Sequence, residues 1–273
     1  MKNRSSTIIL AVIFCVGLSL LLYPTVSNYW NSFHQSKAIA SYVESVENLD
    51  KDKYEEVWND AVNYNKKLAA ENFHLTLSDE EKTEYDSLLD VSGLGIMGYI
   101  EIPKIRCTLP IYHGTDENIL QIAVGHLGGT SLPVGGESSH CVLSGHRGLP
   151  SAKLFTDIDK LVVGDEFMIR VLDEVLTYEV DQILIVLPGE TDALRIEKGE
   201  DYCTLVTCTP YGINSHRLLV RGHRVATTNG LAALITADAV RIEPLDVAPA
   251  VAAPILMFLL VRLLVTTGKK KKR

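Results

Sequence analysis

The sequence lacks the patterns that usually mark a metal site, and its charge argues against binding to nucleic acid. No C-x-x-C pair, H-E-x-x-H motif or cysteine–histidine cluster occurs among the 273 residues, so we expect no metal ion. The formal net charge of −8 disfavours nucleic acid as a main partner. Internal repeats and low-complexity segments are also missing, apart from the basic block Lys269 to Arg273. With 47% hydrophobic residues, the chain nevertheless has enough apolar content for one sizeable core.

The five cysteines do not resemble the framework of a small disulfide-bonded protein. Cys15 lies inside an apolar run, and the other four have no regular spacing: Cys107, Cys141, Cys203 and Cys208. Cys141 and Cys203 could be neighbours on adjacent strands, and we expect both to be buried free thiols. The cysteines therefore give no support to a disulfide scaffold.

Two long apolar runs predict membrane-spanning helices near the two ends of the chain. The first covers Thr7 to Tyr23, and the second covers Val247 to Thr267, which is long enough to cross a hydrocarbon layer of about 30 Å. A cleaved signal peptide is the alternative for the first run. Because Leu20 to Pro24 is a poor cleavage site, a retained anchor is favoured.

Positive charges flank both runs on their outer sides. Lys2 and Arg4 precede the first run, and the basic tail follows the second. The positive-inside rule then puts both termini in the cytoplasm and residues 28–246 outside. The sequence thus predicts a cell-membrane protein whose main domain is extracytoplasmic and is anchored at both ends.

Between these runs, a helical pattern is followed by a series of short strands. Residues 36–70 show an amphipathic helical spacing, interrupted near Asp50. Strands are predicted at residues 99–103, 109–112, 140–143, 165–171, 175–187, 202–208 and 217–225. Short helices are predicted within residues 117–124, 151–161 and 191–196. The fold class is therefore mainly β with short helices, in the form of a mixed, partly closed barrel.

The segment Thr204 to Cys208 presents a thiol at the end of an apolar strand. The following Thr209 to Gly212 is a turn sequence, and groups displayed on loops by a rigid scaffold often carry function. The alternative is a small buried hydrophobe, which is the commonest environment of a strand cysteine. A thiol of ordinary pKa is only about 3% ionised at pH 7, so a reactive Cys208 needs a nearby base or cation.

His146 and Arg217 are the candidates for these supporting groups. His146 lies in a glycine-rich loop, where the alternative is a surface histidine without a role, and Arg217 opens the strand that returns from the Cys208 turn. Opposed residues of antiparallel strands have Cβ atoms about 4.5–5.5 Å apart, which favours Arg217 over Arg221 and Arg224. Cys208 would attack a carbonyl group, His146 would transfer protons, and Arg217 would bind the oxyanion.

Residues 95–226 resemble the sortases, the membrane-anchored cysteine transpeptidases of Gram-positive bacteria. The pattern T-L-x-T-C ends at Cys208, and His146 and Arg217 match the other two family positions. Class C, which polymerises pilins, is the most similar branch, on the motifs Gly98–Ile105, Leu109–Thr115, Gly145–Pro150 and Thr207–Asn214. The second span with its basic tail is also typical of that class.

The resemblance implies an eight-stranded sortase-type barrel without a cofactor, preceded by a helical segment and flanked by a transmembrane helix at each end. The implied domains are an anchor (1–27), a helical or lid-like segment (28–94), the catalytic barrel (95–226), a linker (227–246) and a C-terminal span with tail (247–273). The implied partners are the membrane, pilin or surface proteins with LPxTG-like sorting signals, and an acceptor lysine of another pilin. Class C members often cover the site with an Asp-Pro-aromatic lid, but this chain contains no Asp-Pro, so no lid residue is assigned within residues 70–85.

Three other functions fit the same residues. A housekeeping sortase would attach proteins to a cell-wall precursor instead of polymerising pilins. A sortase-like scaffold would retain the barrel without catalysis. A hydrolytic cysteine peptidase would use water instead of an amine as acceptor.

Overall fold

The computed structural model describes residues 2–71 and 73–227, together with residues 256, 258 and 262. The α-helices within this part of the chain are α1 (Lys2–Glu47), α2 (Lys51–Ala70), α3 (Asp79–Ser87) and α4 (Glu117–Leu120). The strands are β1 (Ile96–Ile102), β2 (Cys107–His113), β3 (Val124–His126), β4 (Ser139–Ser144), β5 (Glu166–Val171), β6 (Glu174–Val186), β7 (Asp201–Thr209) and β8 (His216–Val225).

The eight strands form a closed barrel in the order β1-β2-β3-β4-β7-β8-β6-β5. Two neighbouring pairs, β2–β3 and β4–β7, are parallel, and the others are antiparallel. Closure pairs the first strand of the series with the last and so protects the sheet edges. The predicted eight-stranded barrel with a preceding helical segment is confirmed, and it is fully closed, not partly closed as the strand pattern suggested.

All seven predicted strands are present, with ends within three residues of the predicted positions. The eighth strand, β3, was missed because three residues are too few to show a period of two. The central residue of β3, Gly125, has no room for a side chain, because an added Cβ would lie 2.2 Å from the carbonyl oxygen of Gly114.

The helices were predicted less well than the strands. The predicted helix at residues 151–161 is wrong: this segment consists of turns with one 3-10 turn at Ile158–Lys160. Leu154 has φ +37°, which interrupts a right-handed helix, while its apolar neighbours are buried in the barrel core. The predicted helix at 191–196 is a 3-10 turn, Asp192–Leu194. α3 was missed, although Ser78 and Glu81 form a capping box at its start.

The break between α1 and α2 occurs where the sequence predicted it. Asp50 caps α2 by accepting a hydrogen bond from the Lys53 amide at 2.8 Å. On the inner face of α2, Asn65 is buried, and its side chain donates to the Leu132 carbonyl at 3.0 Å and accepts from the Leu132 amide at 2.7 Å. These two hydrogen bonds pair the backbone amide and carbonyl of Leu132. They fix α2 to the barrel, so this helix is not a free stalk.

Two buried tyrosines attach the other helices to the barrel. The Tyr42 hydroxyl of α1 donates to the Met97 carbonyl at 3.1 Å and accepts from the Leu172 amide at 2.7 Å. The Tyr85 hydroxyl of α3 accepts from the Gly114 amide and lies 2.9 Å from Nδ1 of His126. Since buried polar groups are costly when unpaired, these contacts specify how the helices dock.

Within the part of the chain described, α1 contains the one helix long and apolar enough to cross a membrane, over Ile8–Glu47. Its apolar side chains between Ile8 and Phe33 are largely exposed, as expected for a surface that faces lipid. The predicted linker and second span lie outside the described residues, apart from the isolated positions 256, 258 and 262.

We predict that Asn65→Ala lowers the free energy of unfolding by about 1–3 kcal/mol, because it leaves the buried Leu132 amide and carbonyl without partners. Asn63 lies on the exposed face of the same helix, so Asn63→Ala should change stability by less than about 0.5 kcal/mol. Urea unfolding of the full-length protein in detergent micelles measures both. Equal losses in the two variants would contradict the role of Asn65.

Buried histidines predict a loss of stability in acid. In His140, Nδ1 lies 2.8 Å from the Arg195 carbonyl and Nε2 lies 2.7 Å from the Thr204 hydroxyl, an arrangement that suits the neutral ring. Burial lowers the pKa of His140, and the positive charge of Arg221 lowers it further. The unfolded ring titrates near pH 6.5, so below this pH the unfolded state binds more protons than the folded state does.

Stability should therefore be complete above about pH 6.5 and fall below it, by up to about 1.4 kcal/mol per pH unit for His140. Urea unfolding at pH 7.5 and 5.5 measures this loss. The loss should be smaller in His140→Gln and unchanged in His34→Gln, because His34 is exposed. An identical pH dependence in wild type and His140→Gln would exclude His140 as its source.

Candidate active site

Cys208 is half-buried near the carboxyl end of β7. Side chains alternate along this part of the strand: Leu205 and Thr207 are buried in the barrel, whereas Val206 and Cys208 are less covered. Since successive residues of a strand point to opposite faces, Cys208 and Val206 share the outer face. The thiol is thus presented at the strand end, as its position before a turn predicted.

Arg217 is the direct partner of Cys208 in the antiparallel pairing of β7 with β8. This confirms the predicted position across the turn. A guanidinium nitrogen of Arg217 donates to the carbonyl oxygens of Asn214 and His216 at 3.2 and 3.1 Å. The turn therefore holds this cation next to the strand end that carries the thiol.

His146 follows the end of β4 and is brought to Cys208 by the parallel pairing of β4 with β7. Ser144 pairs with Val206, and two further hydrogen bonds extend the pairing: the Gly145 amide to the Val206 carbonyl at 3.1 Å, and the Thr207 hydroxyl to the Gly145 carbonyl at 2.7 Å. The start of the histidine loop therefore lies next to the end of β7, and His146 is the residue that follows Gly145. Cys208 and Arg217 thus lie on the paired strands β7 and β8, and His146 lies in the loop after β4, the other neighbour of β7.

The loop after His146 is shaped by close contacts. The Phe155 amide donates to the His146 carbonyl at 3.1 Å. Gly148 has φ +77°, and a Cβ at that position would lie 2.7 Å from the ring of Tyr211 in the β7–β8 turn. The guanidinium of Arg147 is 5.9 Å from the centre of the same ring. The histidine loop and the cysteine turn thus pack directly on each other.

Arg221 and Arg224 are engaged elsewhere. Arg221 donates to both carboxylate oxygens of Asp181 at 3.0 and 2.8 Å and lies 4.0 Å from the ring centre of Tyr202. Arg224 lies over the ring of Tyr178, at 5.6 Å. Of the three arginines on β8, Arg217 is the one placed beside Cys208, in agreement with the sequence.

The other thiols of the barrel are placed differently from Cys208. Cys141 and Cys203 are direct neighbours on β4 and β7, buried and without a disulfide, as predicted. Burial raises the pKa of Cys107 to about 12, and a thiol of high pKa is a poor nucleophile at neutral pH. Cys141 shares its burial with Cys203 and has no access to a substrate. Cys208, half-buried at a strand end, is thus the better candidate for reaction.

A small apolar cluster, here called the outer cluster, lies on the same face as Cys208. Its buried members are Val142, Leu194 and Leu219, and its half-buried members include Leu184, Val186, Val206 and Phe73. Phe73 belongs to the connection between α2 and α3, and the Arg195 guanidinium lies 5.2 Å from its ring centre. Residues 70–85, which contain no Asp-Pro-aromatic motif, are therefore attached to the barrel through Phe73.

The sequence did not identify every group around the candidate site. Oε2 of Glu117, at the start of α4, lies 3.6 Å from Nε2 of His146. Nothing in the sequence joins these residues, which are far apart along the chain, although the helix beginning at Glu117 was predicted. Across residues 2–71 and 73–227, no group of three or more histidine, cysteine or acidic side chains could hold a metal ion.

Comparison with known proteins gives consistent matches. A family model described as "Sortase domain" matches residues 100–225. The solved structure of sortase C1 from Streptococcus agalactiae is 52% identical, covers 70% of this chain and 98% of its own, and has a TM-score of 0.68. Sortase C from Streptococcus pneumoniae is 45% identical, with coverages of 70% and 97% and a TM-score of 0.62.

A curated relative, Sortase D of Bacillus subtilis (strain 168), is 33% identical over 131 residues, which are 47% of this chain. The chain spans 63% of the length of that relative. The resemblance read from the sequence motifs is thereby confirmed. The chain belongs to the sortase family, whose members are cysteine transpeptidases, and its solved structural neighbours are class C sortases.

Proposed function

We propose that this protein polymerises pilins as a membrane-anchored transpeptidase. It cleaves an LPxTG-like sorting signal after threonine, holds the released acyl group on Cys208 and transfers it to a lysine amine of another pilin subunit. The observation that supports the proposal is the direct pairing of Cys208 with Arg217 at the end of the β7–β8 hairpin, next to which the loop carrying His146 begins. These are the nucleophile, proton-transfer and oxyanion groups that acyl transfer requires.

In the first half-reaction, the Cys208 thiolate attacks the threonine carbonyl carbon. The carbonyl oxygen becomes an oxyanion, which the Arg217 guanidinium stabilises with charge-assisted hydrogen bonds. His146, in its protonated form, donates a proton to the leaving glycine amine as the C–N bond breaks. The products are a thioester on Cys208, a neutral His146 and the free C-terminal fragment.

In the second half-reaction, an uncharged lysine amine attacks the thioester carbonyl. His146 takes the proton lost by this amine, and Arg217 again binds the oxyanion. Collapse of the tetrahedral intermediate breaks the C–S bond, restores the thiolate and leaves an isopeptide bond between two pilins. The two half-reactions balance without a cofactor, because the thiolate, the imidazole and the guanidinium supply the nucleophile, the proton transfer and the oxyanion contact.

The apolar face beside the thiol suits such a substrate. Val206 lies two residues from Cys208 on β7, and Val186 of β6 pairs with Arg217. Both are half-buried members of the outer cluster and offer apolar surface to the leucine and proline of a sorting signal. The solved sortase C of S. pneumoniae is described as informative about pilin substrate specificity in that protein. This relative supports pilin polymerisation over attachment to a cell-wall precursor.

The proposed topology follows the apolar runs and their charges. The N-terminal part of α1 crosses the membrane, and residues 28–246 lie outside, with the barrel of residues 95–226 as the catalytic domain. The run Val247 to Thr267 is the second span, and the basic tail returns to the cytoplasm. This topology keeps the active site at the membrane surface, where membrane-anchored precursor proteins are available.

The first test is capture and transfer by the full-length protein in detergent micelles. With a purified pilin that carries an LPxTG-like signal, we expect a thioester on Cys208 and a ladder of covalent oligomers, and we expect both to be absent in Cys208→Ala. Mass spectrometry detects the thioester, and denaturing gels detect the ladder. Retained transpeptidation in Cys208→Ala would refute the proposal.

The products also separate the alternatives. Transfer only to a cell-wall precursor analogue indicates a housekeeping sortase, and release by water even when amines are present indicates a peptidase. A Cys208 that resists thiol reagents, and whose labelling does not depend on His146, indicates a scaffold.

A matched pair of variants separates the role of Arg217 from that of Arg221. We predict that Arg217→Met lowers kcat/KM by about 10²–10³-fold, the usual cost of losing one oxyanion donor. Arg221→Met should instead lower the free energy of unfolding by about 1.5–3 kcal/mol, because it removes the hydrogen bonds to the Asp181 carboxylate. Peptide cleavage kinetics and urea unfolding measure the two effects. The reverse result, with catalysis lost through Arg221, would contradict the assignment.

A further inference from the structure

The carboxylate nearest to His146 comes from α4. Oε2 of Glu117 lies 3.6 Å from Nε2 of His146, and a quarter of the histidine side chain is exposed. Arg147, the next residue along the chain, forms an ion pair with Asp159, and Cys208 and Arg217 pair with each other at the ends of β7 and β8.

The Tyr211 hydroxyphenyl also reaches the histidine loop, where its ring packs at Gly148. Asp159 is paired with Arg147. Within the described part of the chain, Glu117 therefore supplies the negative charge that faces the imidazole.

Glu117 is held in place from its other side. The Gln121 amide, one turn further along α4, donates to Oε1 of Glu117 at 3.0 Å, as i,i+4 pairs on a helix do. This bond leaves Oε2 directed to His146. The hydrogen bond from Gln121 and the charge of His146 lower the pKa of the Glu117 carboxyl, so it is ionised at neutral pH.

We propose that Glu117 is a positioning residue for His146. The inference rests on the proposed function, in which His146 must carry a proton when the glycine amine leaves. A nucleophile and a base whose orientation is fixed by a third group form a recurrent catalytic arrangement. Here Glu117 contacts one ring nitrogen, Nε2, as an ion pair at 3.6 Å.

The role of Glu117 predicts an effect on turnover. A carboxylate that orients the ring and faces its positive charge assists the proton transfer to the leaving amine, so its removal should lower kcat and leave KM unchanged. Because the Glu117 side chain is 69% exposed, the effect should be modest, and salt should weaken it.

The experiment compares wild type with Glu117→Gln as full-length proteins in detergent micelles. Peptide cleavage kinetics are expected to show kcat lowered about two- to fivefold in Glu117→Gln, with KM unchanged. The difference from wild type should be smaller at 1 M salt. Glu117→Asp should restore part of the effect, and Gln121→Ala should cause a smaller decrease in kcat.

Asp116→Asn is the matched control, because it removes the same charge from the neighbouring position. It should leave kcat and KM near their wild-type values. The inference is overturned if Glu117→Gln has the kcat of wild type, or if Asp116→Asn lowers kcat equally. Failure of the proposed function would instead appear as the absence of a thioester and of cleavage in the wild-type protein.

Discussion

The arrangement of the candidate site depends on the parallel pairing between β4 and β7. This pairing joins segments 62 residues apart and continues beyond the last strand residues through the hydrogen bonds of Gly145. A shift by one residue would turn the side chains of one strand to the opposite faces, and the loop that carries His146 would lose its present position at the end of β7. The Thr207–Gly145 bond is buried, so an alternative register would leave unpaired polar groups inside the barrel.

The surrounding structure makes this register rigid. Barrel closure leaves β4 and β7 each with a neighbour on both sides, and the helices before the barrel are fixed by polar side chains that bond to its backbone. Tyr42, Asn65 and Tyr85 all do this while buried. Each is satisfied in one docked position only, so these contacts contribute specificity as well as stability. Two arginines of β8 have different partners. Arg221 is hydrogen-bonded to the Asp181 carboxylate, whereas Arg217 pairs with Cys208.

Local sequence signals were sufficient where a single segment carries the information. The strands β5 to β8 alternate clearly or are continuously apolar, and the thiol, the turn and Arg217 lie on one hairpin, so their proximity could be derived. The signals failed where distant contacts decide the conformation. The apolar residues between Ser151 and Leu161 have helical spacing, yet they fill the core from an irregular loop because Leu154 adopts a left-handed conformation.

The sequence by itself determined the class of fold, the motifs of the sortase family and the identity of Cys208, His146 and Arg217, since these depend on periodicity and short motifs. Only the tertiary structure decided that the histidine loop begins next to the end of β7, that Glu117 lies 3.6 Å from His146, and that Phe73 packs on the outer cluster. These relations join residues separated by long stretches of chain. They are set by strand order and by the satisfaction of buried polar groups, which no local pattern encodes.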